Sequence, residues 1–286
     1  MRGSALLALF AGATCIALSP IWVRIAEVGP TASAFWRVAL AVPLLWVLWP
    51  LAPRRSNGLL AGDWRLLAAA GLAFAGDLAF WHWSIKFTSV ANSTLLANLA
   101  SIFVTLAVWL IWKQKPTGTF LAGLVAALLG VGLLVHTSLD FSPTGLLGDA
   151  LGVVTAIFYA WYLLSVKGIR DRGAATLHLM ALTTTLTAVL LLPVALVSGE
   201  SLLPQTWTGW LTLLGLAWIS HSAGQGLIAY ALAHLPAAFS SVSLLFQPVM
   251  AAVFAWVLLA EPLVALQVVG GVVVLAGIWL ARRGSG

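Results

Sequence analysis

The chain has 286 residues, of which 62% are hydrophobic and 8% charged, with a mean hydropathy of +1.04 and a net charge of +6. So little polar surface excludes a water-soluble domain of this size. The pI near 10.1 does not signal nucleic acid, because the basic residues stand singly or in pairs between apolar runs and form no patch; no nucleic-acid partner is expected. A single cysteine, Cys15, leaves no internal disulfide.

A membrane span needs roughly 20 mostly apolar residues. Polar and Gly/Pro breaks divide the sequence into ten such runs: 4–23, 31–52, 65–85, 90–112, 118–137, 145–166, 175–197, 208–232, 236–259 and 263–281. Each is predicted to be an α-helix, because backbone groups in lipid must be satisfied within their own segment. The fold class expected is all-α, a polytopic bundle embedded in a lipid bilayer. The first run could pass for a signal peptide. However, Gly12 occupies the position where a lipoprotein signal carries an aliphatic residue, and the run continues past Cys15 to Trp22, so a retained span is expected.

Polar residues inside these runs are the candidate functional groups. The second run holds Arg37. The third holds Asp77 near its middle, with Trp81 and Ser84 on the same face and His82 adjacent. A carboxylate at that depth costs about 2.5–3.5 kcal/mol on insertion scales, so Asp77 should face the interior and bind a cationic group, carry a proton, or pair with Arg37. On the fourth run Thr94, Asn98, Ser101 and Thr105 share one helical face; they either line a cavity or glue helices together. The sixth run aligns Thr155, Tyr159 and Tyr162, with Trp161 offset. His178 opens the seventh run and reads as structural, whereas His221 and Gln225 on the eighth lie a turn apart and read as cavity residues. The ninth carries Ser240, Ser243 and Gln247 on one face, followed by Pro248. That proline removes the usual donor to the Leu244 carbonyl and marks a hinge candidate. The fifth and tenth runs are almost wholly apolar, with glycines seven apart, Gly123 with Gly130 and Gly270 with Gly277, which suit lipid contact or pairing with a second copy of the chain.

Basic residues orient the bundle. With the amino terminus in the cytoplasm, the inner segments hold Arg2, Arg54, Arg55, Arg65, Lys113, Lys115, Lys167, Arg170, Arg172, Arg282 and Arg283. The outer ones hold Arg24 and Lys86, with acidic Glu27, Asp140, Glu200 and Glu261. This bias predicts both termini on the cytoplasmic side and an even number of crossings, and the location expected is an inner (plasma) membrane.

The segment "KFTSVANSTLLANLASIFVTLAVWLIWKQKP" aligns without gaps with "LAHLPAAFSSVSLLFQPVMAAVFAWVLLAEP" at an offset of 146. Thr94 meets Ser240, Ala97 meets Ser243, Ser101 meets Gln247 and Pro116 meets Pro262, and a one-residue shift is placed after that proline. Five runs precede the repeat point and five follow, so residues 1–140 and 141–286 are expected to form two five-helix units inserted in opposite senses. Such units in secondary transporters enclose a site near the midplane.

The polar-Pro break, the Glu-Pro that follows, "LQVVGGVVVLAGIWL", "FWRVAL" around Arg37 and "GDALGVVTAIFYAWYLL" resemble the EamA domain of the drug/metabolite transporter superfamily over nearly the whole chain. In length and layout they resemble its ten-helix YddG-type amino-acid exporters. The first unit departs from the pattern, with Ile102 in place of the proline and Lys115 in place of the glutamate, so the hinge role carries over to Pro248 alone. The resemblance implies export of a small organic solute. Candidate binding residues are Asp77, Trp81, His82, Thr94, Asn98, Ser101, Tyr159, Tyr162, His221, Gln225, Ser243 and Gln247. No phosphate loop, nucleophile elbow or metal-ligand spacing occurs, so neither a cofactor nor enzymatic activity is expected. The rival readings are transport of drug, lipid or nucleotide-sugar cargo, and an intramembrane enzyme using Asp77 with His82 or His221.

Overall fold

The computed structural model describes residues 2–52, 63–88, 90–135 and 143–285. Among these there is no strand, and nine helices are long and apolar enough to cross a membrane. They are α1 (Gly3–Ile25), α2 (Pro30–Leu51), α3 (Asp63–Phe87), α4 (Asn92–Trp112), α5 (Gly118–Val135), α6 (Gly145–Asp171), α7 (Thr176–Val197), α9 (Ala237–Leu259) and α10 (Ala265–Gly284). Between α7 and α9 runs α8, made of Trp207–Gly215, Leu216–Gln225 and Gly226–Leu232 without interruption. Its middle part is wound as a π-helix, and there the Ser222 hydroxyl donates to Ala217 O, five residues back, at 2.9 Å.

The helix ends overrun the sequence prediction where charged residues complete a last turn. α6 continues past 166 to Asp171, closed by an i,i+4 pair between Lys167 and Asp171 at 2.5 Å. Arg24 and Lys86 likewise stand in the last turns of α1 and α3. Arg54, Arg55, Asp140 and the boundary at 140/141 lie outside the described residues.

Prolines bend three helices where they remove a donor. α1 breaks at Leu18, just before Pro20, and α2 at Leu40, just before Pro43. α9 is interrupted at Leu244 and Leu245. There the Leu244 carbonyl, which Pro248 cannot serve, accepts from the Gln247 N–H at 2.9 Å. α4 is interrupted at the aligned pair, Asn98 and Leu99, with no proline nearby. Here the Ser101 N–H donates to Asn98 O at 3.3 Å, and the Ser101 hydroxyl reaches the same carbonyl at 3.0 Å. The two breaks therefore share one hydrogen-bond pattern, so α4 carries, without a proline, a break like the one at Pro248. Both helices end on a left-handed residue, Lys113 (φ 58°) and Ala260 (φ 53°), whose following N–H bonds back to Val108 O and Ala255 O. The helix after the break has 13 residues in α4 and 14 in α9, so the two left-handed caps are 147 residues apart, one more than the offset at the breaks.

α5 and α10 pack against each other in opposite directions along their glycines. A Cβ on Gly123 would meet Gly277 O at 2.6 Å, and one on Gly130 would meet Gly270 O at 2.7 Å. The seams that sequence suggested for lipid or a second copy are thus consumed inside one chain, and the outward faces of the pair carry exposed Leu121, Val125, Leu129, Val268 and Val272. α3 packs along α6, with Phe74 on Tyr162 (4.6 Å between ring centres) and Phe80 stacked on Phe158.

Both termini lie at one end of the bundle, where the Thr117 hydroxyl donates to Gly284 O at 2.7 Å and Arg172 pairs with Asp63 at 3.1 Å. The opposite end is tied by Arg24–Glu261 (2.5 Å), by Lys86–Glu200, and by Glu200 accepting from the Ala32 N–H and the Thr31 hydroxyl, each at 3.0 Å. Burial raises the Glu200 carboxyl, but Lys86, Ala32 and Thr31 outweigh it and hold the group below the usual carboxylate range. Glu27 is also held low, chiefly by the Thr206 hydroxyl and then by the Thr206 and Gln205 N–H groups.

Candidate functional site

The breaks in α1, α4 and α9 converge on a cavity of about 100 Å³. Its wall comes from α1 (Ile16, Ala17, Ser19, Pro20), α2 (Arg37), α3 (Asp77, Leu78, Trp81), α4 (Thr94, Ala97, Asn98), α6 (Tyr159), α8 (Gln225) and α9 (Gln247, Pro248, Ala251). Irregular backbone is tolerated at membrane depth where it lines such a space, because polar groups there can find partners other than lipid. The π-wound segment of α8 ends at Gln225, so the wall includes the last residue of a local distortion of a kind frequent at functional sites.

The polar groups around this space are held without being consumed. Arg37 is 4% exposed, and its Nε has no hydrogen-bond partner. Asp77 and Arg37 are near enough to interact electrostatically, yet they are not among the ion pairs of the described residues. The structural bridge that the sequence allowed is therefore not closed. Gln225 Oε1, Gln247 Nε2 and Ser19 Oγ are buried and unpartnered, and Tyr159 stands beside both glutamines. Asn98 spends its Nδ2 on Thr94 O at 2.7 Å.

Of the residues singled out from sequence, Arg37, Asp77, Trp81, Thr94, Asn98, Tyr159, Gln225, Gln247 and Pro248 reach the cavity wall. His82, Ser101, Tyr162, His221 and Ser243 are placed elsewhere. His82 is fully buried, with Nδ1 2.7 Å from Leu78 O. His221 lies between helices, its Nε2 2.9 Å from the Thr184 hydroxyl and its ring tilted against Phe74. Tyr162 packs on Phe74. Ser101 and Ser243 return their hydroxyls to carbonyls of their own helices, Asn98 O and Phe239 O. His178 stacks on Trp49 with ring centres 3.9 Å apart, which fits its structural reading. The α1 contribution was missed. Its signal was available: Ser19-Pro20 is the same polar-proline pair inside an apolar run as Gln247-Pro248.

A second, larger cavity of about 700 Å³ opens at the end of the bundle that carries the termini. α1, α4, α6 and α9, which wall the central space, also contribute here through Leu6, Trp112, Lys167 and Phe239, joined by His234 and Arg282.

A helical bundle whose broken helices meet at a cavity walled by both polar and apolar side chains is the build of a polytopic membrane transporter of small molecules. The chain belongs to the EamA-like transporter family, whose model matches residues 3–136 and again 146–283. It is 29% identical over 274 residues to an uncharacterized transporter of Archaeoglobus fulgidus, covering 91% of this chain and 90% of that protein. It is 27% identical over 226 residues to a probable amino-acid metabolite efflux pump of Salmonella typhimurium, covering 75% of each. A solved crystal structure superposes on 100% of this chain and 98% of its own with a TM-score of 0.82 at 14% identity, a likeness of fold alone.

Proposed function

We propose that this protein exports small organic metabolites, amino acids above all, across the inner membrane by alternating access without direct use of ATP. The observation that carries the reading is the central cavity, where breaks in three helices meet and unpartnered polar side chains stand on the wall. The amino-acid assignment draws support from the efflux pump of Salmonella typhimurium, at 27% identity.

In this reading, residues 1–140 and 141–286 are two five-helix units inserted in opposite senses, and the termini face the cytoplasm. The matched hydrogen bonds at 98–101 and 244–247, and the antiparallel α5–α10 seam, support the arrangement. The 700 Å³ space then receives solute from the cytoplasm, while Arg24–Glu261 and Lys86–Glu200 hold the outer end closed. Outward release requires those ties to part as α1 and α9 bend at their breaks. Asp77, Trp81, Thr94, Asn98, Tyr159, Gln225 and Gln247 contact the solute.

The test is uptake of a labelled amino-acid panel into proteoliposomes, with and without a pH gradient. Saturable flux of unmodified solute is expected. Chemical conversion of the solute, or the absence of flux for the whole panel, refutes the reading.

A further inference from the structure

Arg37 and Asp77 border the same small cavity from neighbouring helices, α2 and α3. A buried charge left without a partner is among the most destabilising arrangements a protein carries, and a close pair is the ordinary remedy. Here Arg37 is 4% exposed, its guanidinium makes no hydrogen bond through Nε, and it is not paired with the carboxylate that shares its wall. The two groups feel each other's field while staying apart. A cation and an anion presented separately to one compact space match a ligand with its own anion and cation a few atoms apart.

We propose that Arg37 and Asp77 form a split-charge site, with Arg37 holding the carboxylate and Asp77 the ammonium group of a compact zwitterion in the central cavity. The assignment rests on the transport reading above and narrows it to amino-acid zwitterions. Arg is suited to the carboxylate because its planar fork can bind both oxygens at once. Gln247 offers a free amide N–H and Gln225 a free carbonyl oxygen on the same wall, one for each end of such a ligand. The cavity of about 100 Å³ leaves room for an alanine-sized molecule beside both groups.

The experiment is counterflow of labelled alanine in proteoliposomes of the full chain, competed by unlabelled alanine, alaninamide (no carboxylate) or lactate (no ammonium). The wild type should prefer alanine over each analogue by about 10- to 100-fold, the range of a charged hydrogen bond lost from a buried site. In Arg37→Gln the preference over alaninamide should shrink to within about threefold, while that over lactate persists; Asp77→Asn should do the reverse. Arg37→Lys and Asp77→Glu should keep about 10-fold of the cognate preference. The proposal is overturned if the neutral variants retain both preferences. It is also overturned if all four variants, while remaining monodisperse, lose alanine binding together, which marks a structural role. Wild-type flux of other solutes but not of alanine sinks the split-charge site and leaves transport standing; no flux of any solute sinks both.

Discussion

Gly130 and Gly132 stand two residues apart on α5, and replacing each with alanine separates packing from helix propensity. A Cβ on Gly130 would lie 2.6 Å from Val274 N and 2.7 Å from Gly270 O, both backbone atoms of α10, whereas one on Gly132 meets nothing within 4 Å. Ordinary carbon contacts begin near 3.4 Å. The opposed backbone has no rotamer to change, so α5 and α10 must part by roughly 1 Å. A gap of that size forfeits about a quarter to a half of the dispersion attraction along the seam. Overpacking of this kind costs about 1–3 kcal/mol. Both substitutions gain the same helix propensity, about 1 kcal/mol, so it cancels in the comparison. Gly130→Ala should therefore melt below Gly132→Ala by on the order of 5 °C, at about 2–4 °C per kcal/mol. The measurement is the apparent midpoint of the detergent-purified protein at a fixed scan rate, by fluorescence-monitored size exclusion. Coincident midpoints would show that the two helices are not in backbone contact and would refute the packing described here.

Other consequences can be checked in the same preparations. Arg24 and Glu261 are largely exposed, so Glu261→Gln should shift closure of the end opposite the termini by only about 0.2–1 kcal/mol, and the effect should fade at high salt. Labelling of a cysteine placed at Ser19 reports it, and undiminished labelling differences at 1 M salt would contradict an ion-pair origin. The Glu200 carboxyl is held below its unfolded value, so its stabilisation is in place at neutral pH and is lost as pH falls through the folded value. Thermal midpoints measured from pH 7 downward should accordingly fall less steeply in Glu200→Gln than in the wild type, and parallel curves would refute the assignment. Pro248→Ala restores a donor for the Leu244 carbonyl and should slow flux while leaving expression and melting unchanged. Unaltered flux would remove Pro248 from the mechanism, leaving the break to the pattern it shares with α4.

Much of the fold is legible in the sequence because lipid leaves the backbone few choices. The apolar runs had to be helices, and Pro248, singled out from sequence, stands at a break the structure contains, whereas Pro193 stands inside an uninterrupted α7. The Asn98–Leu99 break was not legible: no residue there forbids a helix, and the bonds from Ser101 that replace the regular pattern form only in the folded bundle. The same limit applies to the site. Helical spacing put Thr94, Asn98, Ser101 and Thr105 on one face, yet only the first two reach the cavity, because the break redirects the helix below them. His221 and Gln225 were equivalent candidates by spacing, but the π winding of α8 and the Thr184 hydroxyl drew His221 to α7, while Gln225 reaches the cavity.

The sequence by itself determined that this is a helical membrane protein, where its spans lie, and which polar side chains must be kept out of lipid, since hydropathy and backbone satisfaction act locally along the chain. Only the tertiary structure decided that the α5 and α10 glycines face each other, and that Arg37 and Asp77 share a wall without forming a pair. Those outcomes depend on distances between helices far apart in sequence, which no local pattern encodes.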